Sequence, residues 1–324
     1  MPSTHALAPA LEALRRQNIH LGTSSWKYEG WLGDLYSPDR YLYRGKLSST
    51  RFERNCLAEY AEVFSSVCAD SSYYRFPSDS SLAKLYDPVG PQFRMSHKVT
   101  DTVTIKNFPN LPRHGELAGK ENPHFLNANL FLSSFLKPLE PYREQTGLLM
   151  FEFSRFYPRD FERGRDFVEQ LDRFLAKLPT DHWDFGVEIR NANLLTKPYF
   201  DTLRRHHVAH VYNQWTRMPG LAEQLALLPA DDHNAPVGAR LLLKCGRAYR
   251  EAVDHFSPYD RLREPRPEVR QATANLLRTV KQAPRKRATY VYVNNRLEGN
   301  ALSTIAAILD LLGSDSSSRT DPSH

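Results

Sequence analysis

Eight short apolar runs alternate with helical segments along 324 residues, three long aromatic and basic connections follow strands, and no strand leads into a nucleotide-binding glycine fingerprint. Together these predict an α/β fold, closed as a single-domain (β/α)8 barrel of TIM type with an N-terminal helix and a disordered C-terminal tail. Strands that alternate with helices imply a parallel sheet, and a chain of this length suits one large barrel. An open doubly wound sheet is the alternative. Neither GxGxxG nor GxxxxGKS/T follows any strand, which weakens it. The long connections follow strands one, three and seven, and a parallel barrel sets all of them on one rim, where active sites of this fold lie.

The chain divides into a helical extension at 1–18, the barrel at 19–312 and a polar tail at 313–324, SDSSSRTDPSH after Gly313, with too little apolar content to order itself. Leu7, Leu11 and Leu14 recur at helical spacing and predict a helix packed outside or beneath the barrel. Strand one is Ile19–Ser25. The connection that follows carries Trp26, Tyr28, Trp31, Tyr36, Tyr41 and Tyr43, too many aromatics for disorder, and reads as a lid or wall. A helix at Phe52–Phe64 leads to strand two, Ser65–Asp70, which ends in SSYYRFP. A helix near Ser80–Tyr86 precedes strand three, Phe93–Val99, with His97 and Lys98 on opposite faces. A long connection and a helix from about Pro123 to Pro138 lead to strand four, GLLMFEF, whose one carboxylate is Glu152.

Asp160–Leu178 is the clearest helix and stops at Pro179. The stretch from Asp184 to Asn193, DFGVEIRNAN, comes next. Alternation puts Val187 and Ile189 on one face and Gly186, Glu188 and Arg190 on the other. An acid and a base on one face of a strand suit a barrel whose inner face opens into a polar mouth, or a structural ion pair capping the strand. A helix at Lys197–His206, strand six at Val208–Asn213, a short helix at Leu221–Leu228 and strand seven at Ala239–Cys245 follow. The third long connection, a helix at Glu268–Gln282, strand eight at Thr289–Asn295 and a helix after Gly299 complete the set.

Composition narrows the class. Hydrophobic residues at 41%, charged residues at 25% and aromatics at 11% describe a globular chain rather than a disordered or fibrous one. No run of eighteen apolar residues offers a membrane span, and MPSTHALAPALEALRRQN lacks the features of a secretory leader, so a cytoplasmic location is expected. Cys56, Cys68 and Cys245 are odd in number and widely spaced, which fits free thiols better than a disulfide or zinc framework. A net charge of +6 includes basic clusters at 204–207, 261–266 and 281–287. These are ordinary solvated faces unless they share a surface, in which case they attract nucleic acid.

The strand ends would gather Asp70, Lys98, Glu152, Glu188, Arg190, Asn213, Lys244, Asn294 and Asn295 at one mouth. Carboxylates on separate strands suit acid/base chemistry or a divalent cation. The histidines that zinc or iron would want are missing from the rim, so no metal is expected, and His97 reads as a satisfied core residue. Lys98, Arg190, Arg75 and Arg247 suit an anion or neutralise the acids. Trp26, Trp31, Tyr73, Tyr74 and Trp215 offer faces for sugars or bases, or serve as loop cores. Ser24 and Ser25 lack a GxSxG elbow, which argues against a serine hydrolase.

GTSSW, SSYYRFP, FRMSHKV, GLLMFEF, GVEIRNAN, LKCGRAYREAVDHFSPYD and YVYVNNRLEGNA, in that order between about His20 and Leu309, resemble the DUF72 family of YecE-like proteins. The resemblance implies a TIM-type barrel, a cytoplasmic location and no established family activity. It carries a polar signature onto Trp26, Tyr74, Arg75, Lys98, Glu188, Arg190, Asn294, Asn295 and Gly299. This chain departs from the family pattern in three places. Cys68 stands where many members have an acid, with Asp70 replacing an Asn; Ile105 and Cys245 stand where histidines are usual. These departures weaken any acid/base or metal mechanism transferred from other members.

The expected site therefore has Glu188, Glu152 and Asp70 as catalytic carboxylates. Trp26, Tyr74, Arg75, Lys98, Arg190, Asn213, Asn294 and Asn295 would hold a small anionic or sugar-like ligand, with acid/base or hydrolase activity to match. The alternative is a nucleic-acid or phosphometabolite binder without catalysis, and a scaffold that has lost catalysis is a third reading. The motifs name no cofactor.

Overall fold

A computed structural model describes residues 4–230, 234–284 and 287–317. Its eight parallel strands are β1 (Ile19–Thr23), β2 (Ser66–Ala69), β3 (Arg94–Lys98), β4 (Thr146–Glu152), β5 (Phe185–Glu188), β6 (Ala209–Gln214), β7 (Val237–Leu241) and β8 (Thr289–Val293), closed into a barrel in chain order. Alternation along each strand makes two concentric cores. Cys68, Leu148, Met150, Ala209, Val211, Tyr290 and Tyr292 fill the barrel, while Leu149, Phe151, Val187, Val291 and Val293 face the helical shell. The interior is tight. A Cβ on Gly186 would lie 2.7 Å from Val211, and one on Gly238 would lie 2.7 Å from Leu148, so these two glycines make room for the larger side chains.

The shell repeats the helical spacing of the sequence. The helix α1 (Ala8–Arg15) buries Leu11 and Leu14 and reaches Gln92 through Arg15 Nη1 at 2.9 Å. α2 (Ser49–Tyr60) and α3 (Asp79–Tyr86) precede β2 and β3. α4 (Gly164–Leu175) buries Phe167, Val168, Leu171, Phe174 and Leu175, one stripe of an amphipathic helix. α5 (Lys197–Arg205), α6 (Leu221–Leu227), α7 (Tyr249–Phe256), α8 (Pro267–Gln282) and α9 (Ala301–Ser317) complete it. Among the described residues, no helix is long and apolar enough to cross a membrane.

Four elements differ from the sequence expectation. β7 covers Val237–Leu241, not Ala239–Cys245, because Leu242 and Leu243 leave the barrel. Their amides donate to the Gln214 carbonyl at 3.2 and 2.9 Å, and their side chains join a satellite core with Ala252 and Phe256. The third long connection is thus partly helical, since it contains α7. The helical run expected from Pro123 starts at Ala128 and continues past Pro138 and Pro141 to Gln145 by changing to π and 3-10 winding, in which the missing proline N–H groups are tolerated. Finally, α9 takes in Gly313–Ser317 of the expected tail, and residues 318–324 lie outside the described part.

The aromatic connection after β1 is a packed wall. Trp31, Tyr36, Tyr41 and Phe52 are buried, with Tyr36 and Tyr41 edge-on to Phe52 at 5.1 and 5.0 Å. A second tyrosine closes the barrel. β1 pairs with β8 along five residues but with β2 only at Thr23 and Val67. The Tyr60 hydroxyl accepts from the Thr23 amide at 3.1 Å and donates to the Ser66 carbonyl at 3.0 Å, bridging the two strands. Tyr60→Phe would remove the hydroxyl's bonds to both backbone groups, at about 1–3 kcal/mol. The expected result is a lower urea midpoint with an unchanged m-value; an unchanged midpoint would show that the hydroxyl does not hold this seam.

Candidate ligand site at the barrel mouth

The last inward residue of each strand faces the C-terminal mouth, which brings Lys98, Glu152, Glu188, Asn213 and Arg240 together. Register sets Glu152 beside Glu188 and Asn213 beside Arg240. Two adjacent carboxylates repel, and Arg240 resolves the conflict. Its Nη1 lies 2.5 Å from Glu152 Oε2 and 2.5 Å from Glu188 Oε2. Arg190, just past β5, places Nη2 2.8 Å from Glu188 Oε1 and 3.2 Å from Glu152 Oε2. Lys98 Nζ completes the cluster, 3.2 Å from Glu152 Oε2 and 3.4 Å from Asp70 Oδ1. Two aromatic faces carry the cations: Lys98 sits 4.0 Å from the Tyr73 ring centroid and Arg190 4.0 Å from that of Trp215.

Three cations thus face three carboxylates in a largely dry setting. Burial pushes the Glu152 carboxyl up, but Lys98, Arg190 and Arg240 outweigh it and hold the group well below the usual carboxylate range. Burial pulls Lys98 down, and Glu152 and Asp70 more than restore it. Burial likewise acts against the charge on Arg240, yet Glu188 and Glu152 keep it well above its ordinary value. Glu152 is therefore ionised at neutral pH and has no proton to give. Glu188 is fully buried between two arginines, whereas the Asp70 side chain is 44% exposed, the one carboxylate of the three open to solution. Below this layer the Cys68 thiol is pushed up to about 12 by burial and stays protonated.

Near the strand ends lie polar atoms that are buried and have no hydrogen-bond partner within the protein: Arg190 Nη1, Asn213 Oδ1 and Arg240 Nε at the charged cluster, and Ser24 Oγ, Trp26 Nε1 and Asn295 Nδ2 just past β1 and β8 in the chain. Asn213 Nδ2 donates to the Ile189 carbonyl at 3.1 Å, which fixes the amide and leaves its oxygen over. Asn295 Oδ1 accepts from the Ala301 amide at 2.6 Å, capping α9, and Asn294 Oδ1 accepts from the Arg296 amide at 3.0 Å, holding the turn after β8. Tyr74 is 61% exposed beneath the Arg113 guanidinium, and Arg75 is exposed beside it. These two stand at the rim, outside the charged cluster. Lys244 is not at the mouth, since β7 ends at Leu241; it pairs with Glu264 at 3.5 Å. His97 is a satisfied core residue, 2.9 Å from Ser72 Oγ and 2.8 Å from the Tyr86 hydroxyl.

A family model described as a protein of unknown function, DUF72, matches residues 20–324. The chain belongs to the DUF72 family. A DUF72 protein of Enterococcus faecalis V583 has a solved structure 16% identical to this chain, covering 91% of it and 95% of its own length, with a TM-score of 0.58. That of Thermotoga maritima MSB8 is 19% identical, covers 92% and 99%, and scores 0.55. At these identities the likeness shows the DUF72 barrel and nothing of its chemistry. A protein described as a methyltransferase from Methanosarcina mazei, at 8% identity and a TM-score of 0.42, carries no argument. No curated protein matches.

In this DUF72 chain the residue that sequence reasoning missed is Arg240. Its signal was a lone arginine amid VGARLLL, at an inward position once β7 is placed correctly.

Proposed function

We propose that the barrel mouth binds a small, hydroxylated anion of sugar-phosphate type, and that Asp70 exchanges protons with it. The observation that supports this reading is the set of unpaired buried atoms. Arg190 Nη1, Arg240 Nε, Trp26 Nε1 and Asn295 Nδ2 are donors, Asn213 Oδ1 is an acceptor and Ser24 Oγ can be either, a mixture that matches hydroxyls beside an anionic group. Glu152 and Glu188, expected from sequence to carry acid/base chemistry, serve here to hold Lys98, Arg190 and Arg240 in place, so that the cations are oriented before a ligand arrives. Asp70 is the carboxylate left to take or give a proton, and hydrolysis is one reaction such a group supports.

Native mass spectrometry of the purified protein tests this. The expected result is a co-purified or added sugar phosphate retained by the wild type, retained by Asp70→Asn without turnover, and lost in Arg190→Gln. A bare-chain mass with no retention of any member of a sugar-phosphate panel would sink the reading.

A second reading, nucleic-acid binding, draws on exposed tyrosines faced by arginines in the loops beyond the strands: Tyr74 with Arg113 at 5.1 Å, Tyr157 with Arg155 at 5.2 Å and Tyr249 with Arg296 at 4.7 Å. Affinity for a single-stranded oligonucleotide that falls steeply between 50 and 200 mM salt, values chosen from about the range over which counterion release acts, would favour it. A salt-insensitive small ligand would favour the mouth.

A further inference from the structure

A second group of cations, two of them with a buried nitrogen left unpartnered, lies outside the mouth, in the connection after β7. Lys244, Arg247 and Arg266 converge on one carboxylate, Glu264. Arg247 Nη2 donates to Glu264 Oε2 at 2.5 Å, Arg266 Nη2 donates to Glu264 Oε1, and Lys244 Nζ stands 3.5 Å from the same Oε1. The Arg247 side chain is only 10% exposed and that of Arg266 16%, yet Arg247 Nη1 and Arg266 Nε are buried with no partner in the protein. Arg247 is further fixed by its stack on Phe256 at 5.2 Å and by Glu251 at 3.2 Å from Nε.

The loop that carries these groups is pinned at both ends. The Gly246 amide donates to the Thr216 carbonyl at 2.7 Å, and the amides of Arg263 and Glu264 donate to the Glu298 carbonyl at 2.8 and 3.1 Å. Glu298 is itself buried and paired with Arg270 at 2.9 Å. The arginines are therefore held in place by the fold rather than by Glu264 alone.

We infer that Lys244, Arg247 and Arg266 form a site for a phosphoryl group, which Glu264 fills as a built-in substitute and yields to the ligand. The mismatch between donors and acceptors points there. A carboxylate brings two oxygens, and here they leave one nitrogen of each arginine unpaired; a tetrahedral oxyanion brings more oxygens, in several directions, and can meet those donors as well. Glu264, at 29% side-chain exposure, has solvent to swing into. The location fits, since phosphate sites in barrels of this type are often built by the loops after the last two strands. The site adjoins the mouth, because Trp215, on which Arg190 stacks, also packs against the satellite core containing Phe256. The inference does not rest on the proposed mouth ligand.

Isothermal titration of the full-length protein with inorganic phosphate tests it, using three variants and thermal melts to confirm folding. Lys244→Gln, at a half-buried position, is expected to weaken phosphate about tenfold, the worth of one charge-assisted hydrogen bond. Glu264→Gln is expected to tighten it by a similar factor, because the internal competitor has lost its charge. Arg190→Gln, which removes a donor of the mouth, is expected to leave a saturable phosphate site in place. The inference is overturned if phosphate shows no saturable binding, if Lys244→Gln has no effect, if Glu264→Gln weakens binding, or if Arg190→Gln abolishes it. A hexose phosphate separates the sources of the oxyanion. Tighter binding than inorganic phosphate, with only that increment lost in Arg190→Gln, would mark the phosphoryl end of the mouth ligand; equal affinities would mark a site for free phosphate.

Discussion

Arg240→Leu is expected to cost about 3–5 kcal/mol of stability, the usual result of removing one partner from a buried charge pair. Arg240 is the only cation that meets both Glu152 and Glu188 at 2.5 Å among the described ion pairs, and it sits over an apolar interior, so water cannot take over its role cheaply. Leucine fills much of the volume but leaves Glu188 with Arg190 alone. Urea denaturation measures the loss. Adding Glu188→Gln to the variant is expected to restore part of it, because the stranded charge is then gone, and the double-variant cycle reads the coupling directly. A loss under about 1 kcal/mol would mean that the cluster is well hydrated and behaves like a surface network.

Acid is expected to destabilise the barrel well above the pH at which its carboxylates titrate. Three histidines are buried and neutral. Burial, with Arg94 and Arg15, pushes His20 down to about 3, burial alone pushes His97 to about 3, and burial pushes His210 to about 4 against an opposing hydrogen bond to Gln224 Oε1. In the unfolded chain each takes up a proton near 6.5, while the folded protein refuses it. Their contribution is thus complete above about 6.5 and is lost as pH falls toward the folded values, at about 2 kcal/mol per histidine by pH 5. Glu152, whose folded value is depressed, adds a further loss only below the ordinary carboxylate range. Urea midpoints at pH 7.5 and pH 5, a window chosen to straddle a histidine pKa of about 6.5, check this. His97→Gln is expected to flatten the dependence by about 2 kcal/mol over the same window; an unchanged slope would show that His97 is protonated in the folded state.

Much of the barrel could be read from periodicity, since each strand is a short apolar run closed off by turn chemistry and each helix carries its own stripe. The mouth could be read only in part. Lys98, Glu152, Glu188, Arg190 and Asp70 were identifiable because a charge at the end of an apolar strand stands out, and the structure brings all five together. Arg240 did not stand out, because the apolar run around it continues through Leu243 into a satellite core. That run shifted the apparent strand centre by three residues, from 239 to 242, and put Lys244 in the place of Arg240. The sharing of one arginine between Glu152 and Glu188 depends on register between neighbouring strands, which no local pattern encodes. The side-chain oxygens of Asn294 and Asn295, expected from sequence to face a ligand, hold the turn and cap that start α9, while Asn295 Nδ2 is left without a partner.

The uneven pairing of β1 has a consequence for how the chain is made. Ile19 to Thr23 find nearly all their backbone partners on β8, from Thr289 to Val293, and only one on the strand that follows them in sequence. The first strand of the barrel to be synthesised is therefore the last to be secured. Until β8 is available, β1 holds a row of open amides, and a stall or truncation before β8 deprives the barrel of two staves rather than one.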